Sequence, residues 1–230
     1  MQFITRKLKK RARRISLEKA HAQHRIAHQA DYDRINQWLQ VFRPTGAISN
    51  SDHDYKLWHL DQLLHRFAPK RILECGSGGT SMIFAQHVRS NSGSLLSLDE
   101  EEKWAVNTIT LLDIKQGEQI EVRQCPKICL GEREPREIKY EAKLEEVFDF
   151  VLIDGPSLEV DGTKWKDAIN TNVCDLQPEP KVIVVDVRIA TAQYLAERYS
   201  DRYDVFLSDL IGDKPVEPGY NYFSYFVRNR

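Results

Sequence analysis

Between Arg71 and Ser81 the chain reads Arg-Ile-Leu-Glu-Cys-Gly-Ser-Gly-Gly-Thr-Ser, a short apolar run closed by a cluster of glycines. Such a run is a buried strand feeding a tight turn, and a helix is expected next, over Ser81 to His87. The pattern then repeats. Ser94 to Leu98 is a second strand ending at Asp99, Trp104 to Ile114 a helix, and Gln119 to Arg123 a third strand. Phe148 to Ile153 and Val182 to Val185 are a fourth and fifth strand, with Ile189 to Tyr199 helical behind them. Strands alternating with helices predict an α/β fold, a mostly parallel Rossmann-like sheet with helices on both faces. The polar stretch Pro126 to Glu146 reads as a loop with an irregular helix.

Ahead of the first strand the composition changes. Residues 1–14 carry Arg6, Lys7, Lys9, Lys10, Arg11, Arg13 and Arg14 without an acid, and Ile4, Leu8, Ala12 and Ile15 fall at helical spacing. A basic amphipathic arm of this kind suits a peripheral membrane surface or an oligomer contact, or stands as a solvated helix. Ala30 to Phe42 is a second helix with Tyr32, Ile35, Trp38, Leu39 and Phe42 inward, ended by Pro44-Thr45-Gly46. A polar loop from Ile48 to Tyr55 leads to a helix over Lys56 to Phe67 that buries Leu57, Leu60, Leu63 and Leu64. The chain therefore divides into a basic N-terminal helical extension, 1–56, and an α/β domain, 57–230.

A glycine turn between strand and helix brings backbone N–H groups close to a ligand, commonly a pyrophosphate. Glu74 changes that expectation, because a carboxylate beside the turn opposes phosphate and favours a cation that carries an amino group. Asp99, about 20 residues past the turn, stands where an acid can hold both ribose hydroxyls. Glu74-x-Gly76-x-Gly78 followed by Asp99 resembles the first two motifs of the class I S-adenosylmethionine-dependent methyltransferases, with Thr80 in place of the third glycine. The resemblance spans residues 57–230. It implies S-adenosylmethionine as cofactor, bound by Glu74, Gly76, Ser77, Gly78, Thr80, Ser81, Asp99 and Asp154. It also implies a seven-stranded sheet completed by an antiparallel C-terminal hairpin, here Tyr203 to Leu207 with Tyr222 to Val227.

In an open α/β sheet, ligands sit beyond the carboxyl ends of the strands, so Asp154 and Asp186 fall to the acceptor half. The segment Phe148 to Ser157 is similar to the fourth-strand motif of small-molecule and sugar O-methyltransferases, which implies transfer of a methyl group to a hydroxyl of a small molecule or glycan. In catechol-type relatives the matching acids bind a metal, so Mg2+ on Asp154 and Asp186 is one reading. Val187 stands where that family has a further oxygen ligand. A metal-free site with Asp154 or a histidine as base is the other, and Asp186 also suits a helix N-cap. His53 is a candidate catalytic or substrate contact, and Trp165 either a stacking platform or a core residue.

Competing functions are an NAD(P)-dependent Rossmann oxidoreductase and a non-catalytic module of the same fold. No tyrosine is followed by a lysine four residues on, which removes the reductase Tyr-x-x-x-Lys pair. No Asn-Pro-Pro-Tyr or Asp-Pro-Pro-Tyr tetrapeptide follows the fourth strand, and a net charge of -1 gives no general field for nucleic acid. Cys75, Cys125, Cys129 and Cys174 form no paired metal or disulfide framework, and no apolar run is long enough to cross a bilayer. A soluble cytoplasmic protein is the expectation.

Overall fold

A computed structural model describes residues 19–45, 52–131, 136–207 and 223–229. The basic arm over residues 1–14, the side chain of His53 and the Pro- and Gly-containing loop before the last strand lie outside the described residues. Residues 19–27 are helical, followed by α1 (Gln29–Leu39), a 3-10 turn Arg43–Thr45 and α2 (Asp52–Phe67). The α/β alternation then runs β1 (Arg71–Cys75), α3 (Gly79–Asn91), β2 (Ser94–Asp99), α4 (Glu102–Leu112) and β3 (Ile120–Gln124). After it come β4 (Lys127–Leu130), β5 (Glu137–Tyr140), β6 (Phe150–Ile153), β7 (Glu159–Val160) and β8 (Thr163–Lys164). The chain closes with β9 (Val182–Asp186), α5 (Ile189–Arg198), β10 (Tyr203–Leu207) and β11 (Phe223–Arg228).

Seven strands make one sheet in the order β10-β11-β9-β6-β1-β2-β3. The ladders from β9 to β3 are parallel, and β11 enters antiparallel between β9 and β10, as the hairpin expectation requires. Strand order reverses between β1 and β6, so the chain leaves these neighbouring strands toward opposite edges of the sheet, and a crevice lies at the carboxyl edge there.

Side chains alternate across the sheet with period two. Ile72, Leu95, Phe150, Leu152, Val182 and Val184 face α1, α2, α3 and α4, packing on Ile35, Leu39, Leu60, Leu64, Phe84 and Leu112. Leu73, Cys75, Leu96, Val151, Ile153, Ile183 and Val185 face the other way onto Tyr140, Phe148, Val173, Leu195 and Tyr203. Fully burying one such aliphatic side chain contributes about 1.5–3 kcal/mol. The boundary expected between residues 56 and 57 falls inside α2, and α1 and α2 share the core of the sheet. Trp38 packs against that core from its edge, with the Arg34 guanidinium 4.8 Å from its ring centroid.

Two segments differ from the sequence reading. The stretch 126–146 holds no helix among the described residues: β4 and β5 pair antiparallel, with Ile138 and Tyr140 buried, Lys127, Glu137 and Lys139 half-buried and Cys129 and Leu130 exposed. An alternation only four residues long is swamped by its charged neighbours. Asp186 ends β9 and does not cap α5, whose N-cap position is Arg188 without a side-chain bond.

Candidate active site

Gly76 follows β1 with φ +104, and its N–H donates to the Leu98 carbonyl at 2.8 Å. A Cβ there would lie 2.8 Å from the Gly155 nitrogen and 3.0 Å from the Asp154 carbonyl carbon. The turn after β1 and the turn after β6 thus meet backbone to backbone, which only glycine permits. The junction sets the floor of a cavity of about 820 Å³, within the range of small-molecule sites.

One half of the wall is acidic. Gly76, Ser77, Gly78, Gly79, Thr80, Asp99, Glu100, Glu101 and Trp104 line it. Asp99 is anchored from both sides: Oδ2 accepts from the Ser77 N–H at 3.0 Å and its hydroxyl at 2.7 Å, and Oδ1 from the Glu101 N–H at 3.0 Å. Burial raises its pKa against those donors. Glu100 accepts from the Tyr140 hydroxyl at 3.0 Å and the Ser157 N–H at 2.7 Å, joining the loop after β2 to the loop after β6.

Glu74 stands elsewhere than the turn chemistry suggests. It is fully buried beneath the turn, off the cavity wall, and accepts hydroxyls from Thr80, from Ser81 at 2.5 Å and from Ser97 at 2.6 Å. Burial raises its pKa to about 7 even against these three donors. Its direct role is to pin the first turn of α3 to β1 and β2. Ser81, also fully buried, accepts the Gly78 N–H at 2.9 Å. The acidity that faces the cavity comes from Asp99, Glu100 and Glu101. Small residues, exposed backbone groups and these acids fit a cationic, phosphate-free nucleoside such as S-adenosylmethionine.

The other half carries a residue that sequence reasoning passed over. Lys56, from α2, reaches in so that Nζ donates to Asp186 and lies 3.5 Å from Asp154 Oδ2. The Lys56 and Asp186 side chains are 10% and 8% exposed, while Asp154 is 38% exposed and open to the cavity. Burial opposes the charge on Lys56, but the two carboxylates outweigh it and raise its pKa. Burial also opposes ionisation of Asp154, yet the Lys56 ammonium beside it and the charge of Arg188 hold its pKa below the usual range. Asp186 is pushed up to about 8 by burial and by Asp154. The cluster therefore has an ionised Asp154 facing the cavity and an Asp186 that keeps its proton to higher pH.

The ammonium fills the space between the two proposed ligands of Mg2+, and no group of three or more metal-binding side chains exists among the described residues. The site does not fit a divalent cation. Lys56 shares the helical face of Leu60 and Leu63 at i, i+4 and i+7, and a lysine on that apolar stripe was the available signal. His53 lies in the first turn of α2, its side chain outside the described residues. Trp165 neither lines the cavity nor joins the core; the Arg136 guanidinium covers it at 4.4 Å.

No protein-family model matches the chain, and no curated protein matches it. Solved structures do. A methyltransferase from Podospora anserina bound to S-adenosylhomocysteine is 15% identical, with 87% of this chain and 88% of that one covered and a TM-score of 0.52. An O-methyltransferase from Bacillus cereus in complex with the same molecule is 15% identical over 85% of this chain and 90% of that one, also with a TM-score of 0.52. Sheet order, the antiparallel β11 and these similarities agree: the chain has the class I S-adenosylmethionine-dependent methyltransferase fold.

Proposed function

We propose that this protein is an S-adenosylmethionine-dependent methyltransferase that methylates a hydroxyl of a small molecule or glycan without a divalent cation. The observation that carries the reading is Lys56, placed between Asp154 and Asp186 on the wall of the cavity that opens beside the glycine turn. S-adenosylmethionine, when bound, supplies an electrophilic methyl group whose bond to sulfur breaks with the electron pair leaving on sulfur. The chain's own task is to align the acceptor and manage its proton. Lys56 spends two of its N–H donors on the carboxylates and offers the third to the acceptor oxygen, which it orients and polarises. Asp154, ionised and exposed to the cavity, accepts the hydroxyl proton as the oxygen lone pair forms the new bond to carbon. Asp186 holds Lys56 in place. On the other side Asp99 takes the ribose hydroxyls and Trp104 offers its ring to the base.

Titration calorimetry with S-adenosylhomocysteine, S-adenosylmethionine and NADH tests the cofactor. Micromolar binding of the first two with none of NADH is expected. NADH binding without a response to either sulfur compound would overturn the reading.

A further inference from the structure

The cavity wall carries both signs of charge. Around the turn it holds Asp99, Glu100 and Glu101. It also holds Lys164 in β8, Lys166 two residues further on, and Arg188 between β9 and α5. The charge of Lys56 is matched by Asp154 and Asp186, and Arg188 also lies near enough to favour the ionised Asp154, which leaves Lys164 and Lys166 as the lysines of the wall without such a partner among the described residues. Neither Lys164 nor Lys166 is hydrogen-bonded or ion-paired through its side chain to a described residue. Glu159, Asp161 and Asp167 are close in sequence but do not line the cavity.

Arg188 adds a more specific observation. One arm of its guanidinium donates to the Asp154 carbonyl, while Nη1 is buried and has no acceptor. A buried donor left unpaired is costly, and guanidinium groups pair best with the coplanar oxygens of an oxyanion. The hairpin that brings Lys164 over the cavity is set by Asp161 and Gly162, with φ +50 and +73, the left-handed pair of a two-residue β turn.

We infer that the methyl acceptor carries an anionic group, a phosphate or carboxylate, seated by Arg188, Lys164 and Lys166, so that its hydroxyl extends to Lys56 and Asp154. The hydroxyl in this statement rests on the methyltransferase reading; the anion seat does not. Such an acceptor bridges the cavity, its anion on the basic wall and its reacting oxygen at the carboxylate cluster. Neutral analogues lose the first of these two anchors.

The test uses the full chain saturated with S-adenosylhomocysteine, titrated with inorganic phosphate and separately with acetate at constant ionic strength. Saturable millimolar binding of at least one anion is expected, and the tighter of the two identifies the group. The double substitution Lys164→Glu, Lys166→Glu weakens it tenfold or more and leaves S-adenosylhomocysteine affinity within twofold. Lys181→Glu, at the amino end of β9, leaves both unchanged. Absence of saturable anion binding, or binding indifferent to the double substitution, overturns the proposal. So does a parallel loss of S-adenosylhomocysteine affinity, which would assign the lysines to the cofactor's own carboxylate. If wild-type protein binds no S-adenosylhomocysteine, the methyltransferase reading falls, and phosphate titration of the ligand-free chain still tests the anion seat.

Discussion

Replacing Lys56 by alanine removes the ammonium held between Asp154 and Asp186 and leaves two carboxyl groups in a partly dry site. At 3.5 Å from Asp154, and with an effective dielectric constant near 20, the lost attraction is roughly 5 kcal/mol before solvation changes. Removal of one partner from a buried pair costs about 3–5 kcal/mol. The variant can recover part of this by keeping a proton on Asp186, whose pKa is already pushed up to about 8. A folded state that holds a proton the unfolded chain releases near pH 4 loses stability as pH rises. Lys56→Ala should therefore cost about 3 kcal/mol, and the variant should itself be less stable at pH 8 than at pH 6. It should also create the cation site that wild type lacks. With a Kd of about 1 mM, 10 mM Mg2+ adds about 1.4 kcal/mol to the variant and nothing to wild type. Urea unfolding followed by circular dichroism, at both pH values and with or without Mg2+, measures all four quantities. Stabilisation of wild-type protein by Mg2+, or methyl transfer abolished by a chelator, would refute the reasoning, as would a variant equally stable at pH 6 and 8.

Glu74→Gln should flatten the acid-side stability profile. With the folded pKa raised to about 7 from 4.5, wild type loses roughly 3 kcal/mol as pH climbs through that window. His59, His87 and His24, lowered chiefly by burial, act in the opposite direction, so the wild-type minus variant difference is the quantity to follow by urea titration. Gly76→Ala drives a Cβ into the Gly155 backbone at a left-handed φ, which predicts a stability loss of about 2 kcal/mol or more and lost S-adenosylhomocysteine binding by calorimetry. Asp99→Asn keeps the size of the side chain but turns half of it into a donor facing Ser77 and Glu101 N–H groups; affinity for S-adenosylhomocysteine should fall about tenfold or more at unchanged fold by circular dichroism. An unchanged Kd would remove the ribose assignment.

Much of the fold was legible because its signals are local. The run Ile72 to Cys75 is buried on both faces, as a central parallel strand must be, with Glu74 its one polar member, and the glycines after it announce a turn that side chains would block. Val182 to Val185 and Phe150 to Ile153 read the same way for the same reason. The β4–β5 pair was illegible because strands of four residues, one of them exposing Cys129 and Leu130, leave too little alternation to detect. In the site, Asp99, Asp154 and Asp186 could be named in advance, since residues ending parallel strands must gather at one edge of the sheet.

The sequence by itself determined the α/β alternation, the glycine turn and the acids that gather at the carboxyl edge, because each follows from local sterics and the period of side-chain exposure. Tertiary structure alone decided which acid faces the cavity and what answers its charge. Glu74 is turned under α3 by the direction of its Cβ in β1, where three hydroxyls satisfy it. Lys56 meets Asp154 and Asp186 across separations of 98 and 130 residues, a contact made by the packing of α2 on the sheet and by no local pattern.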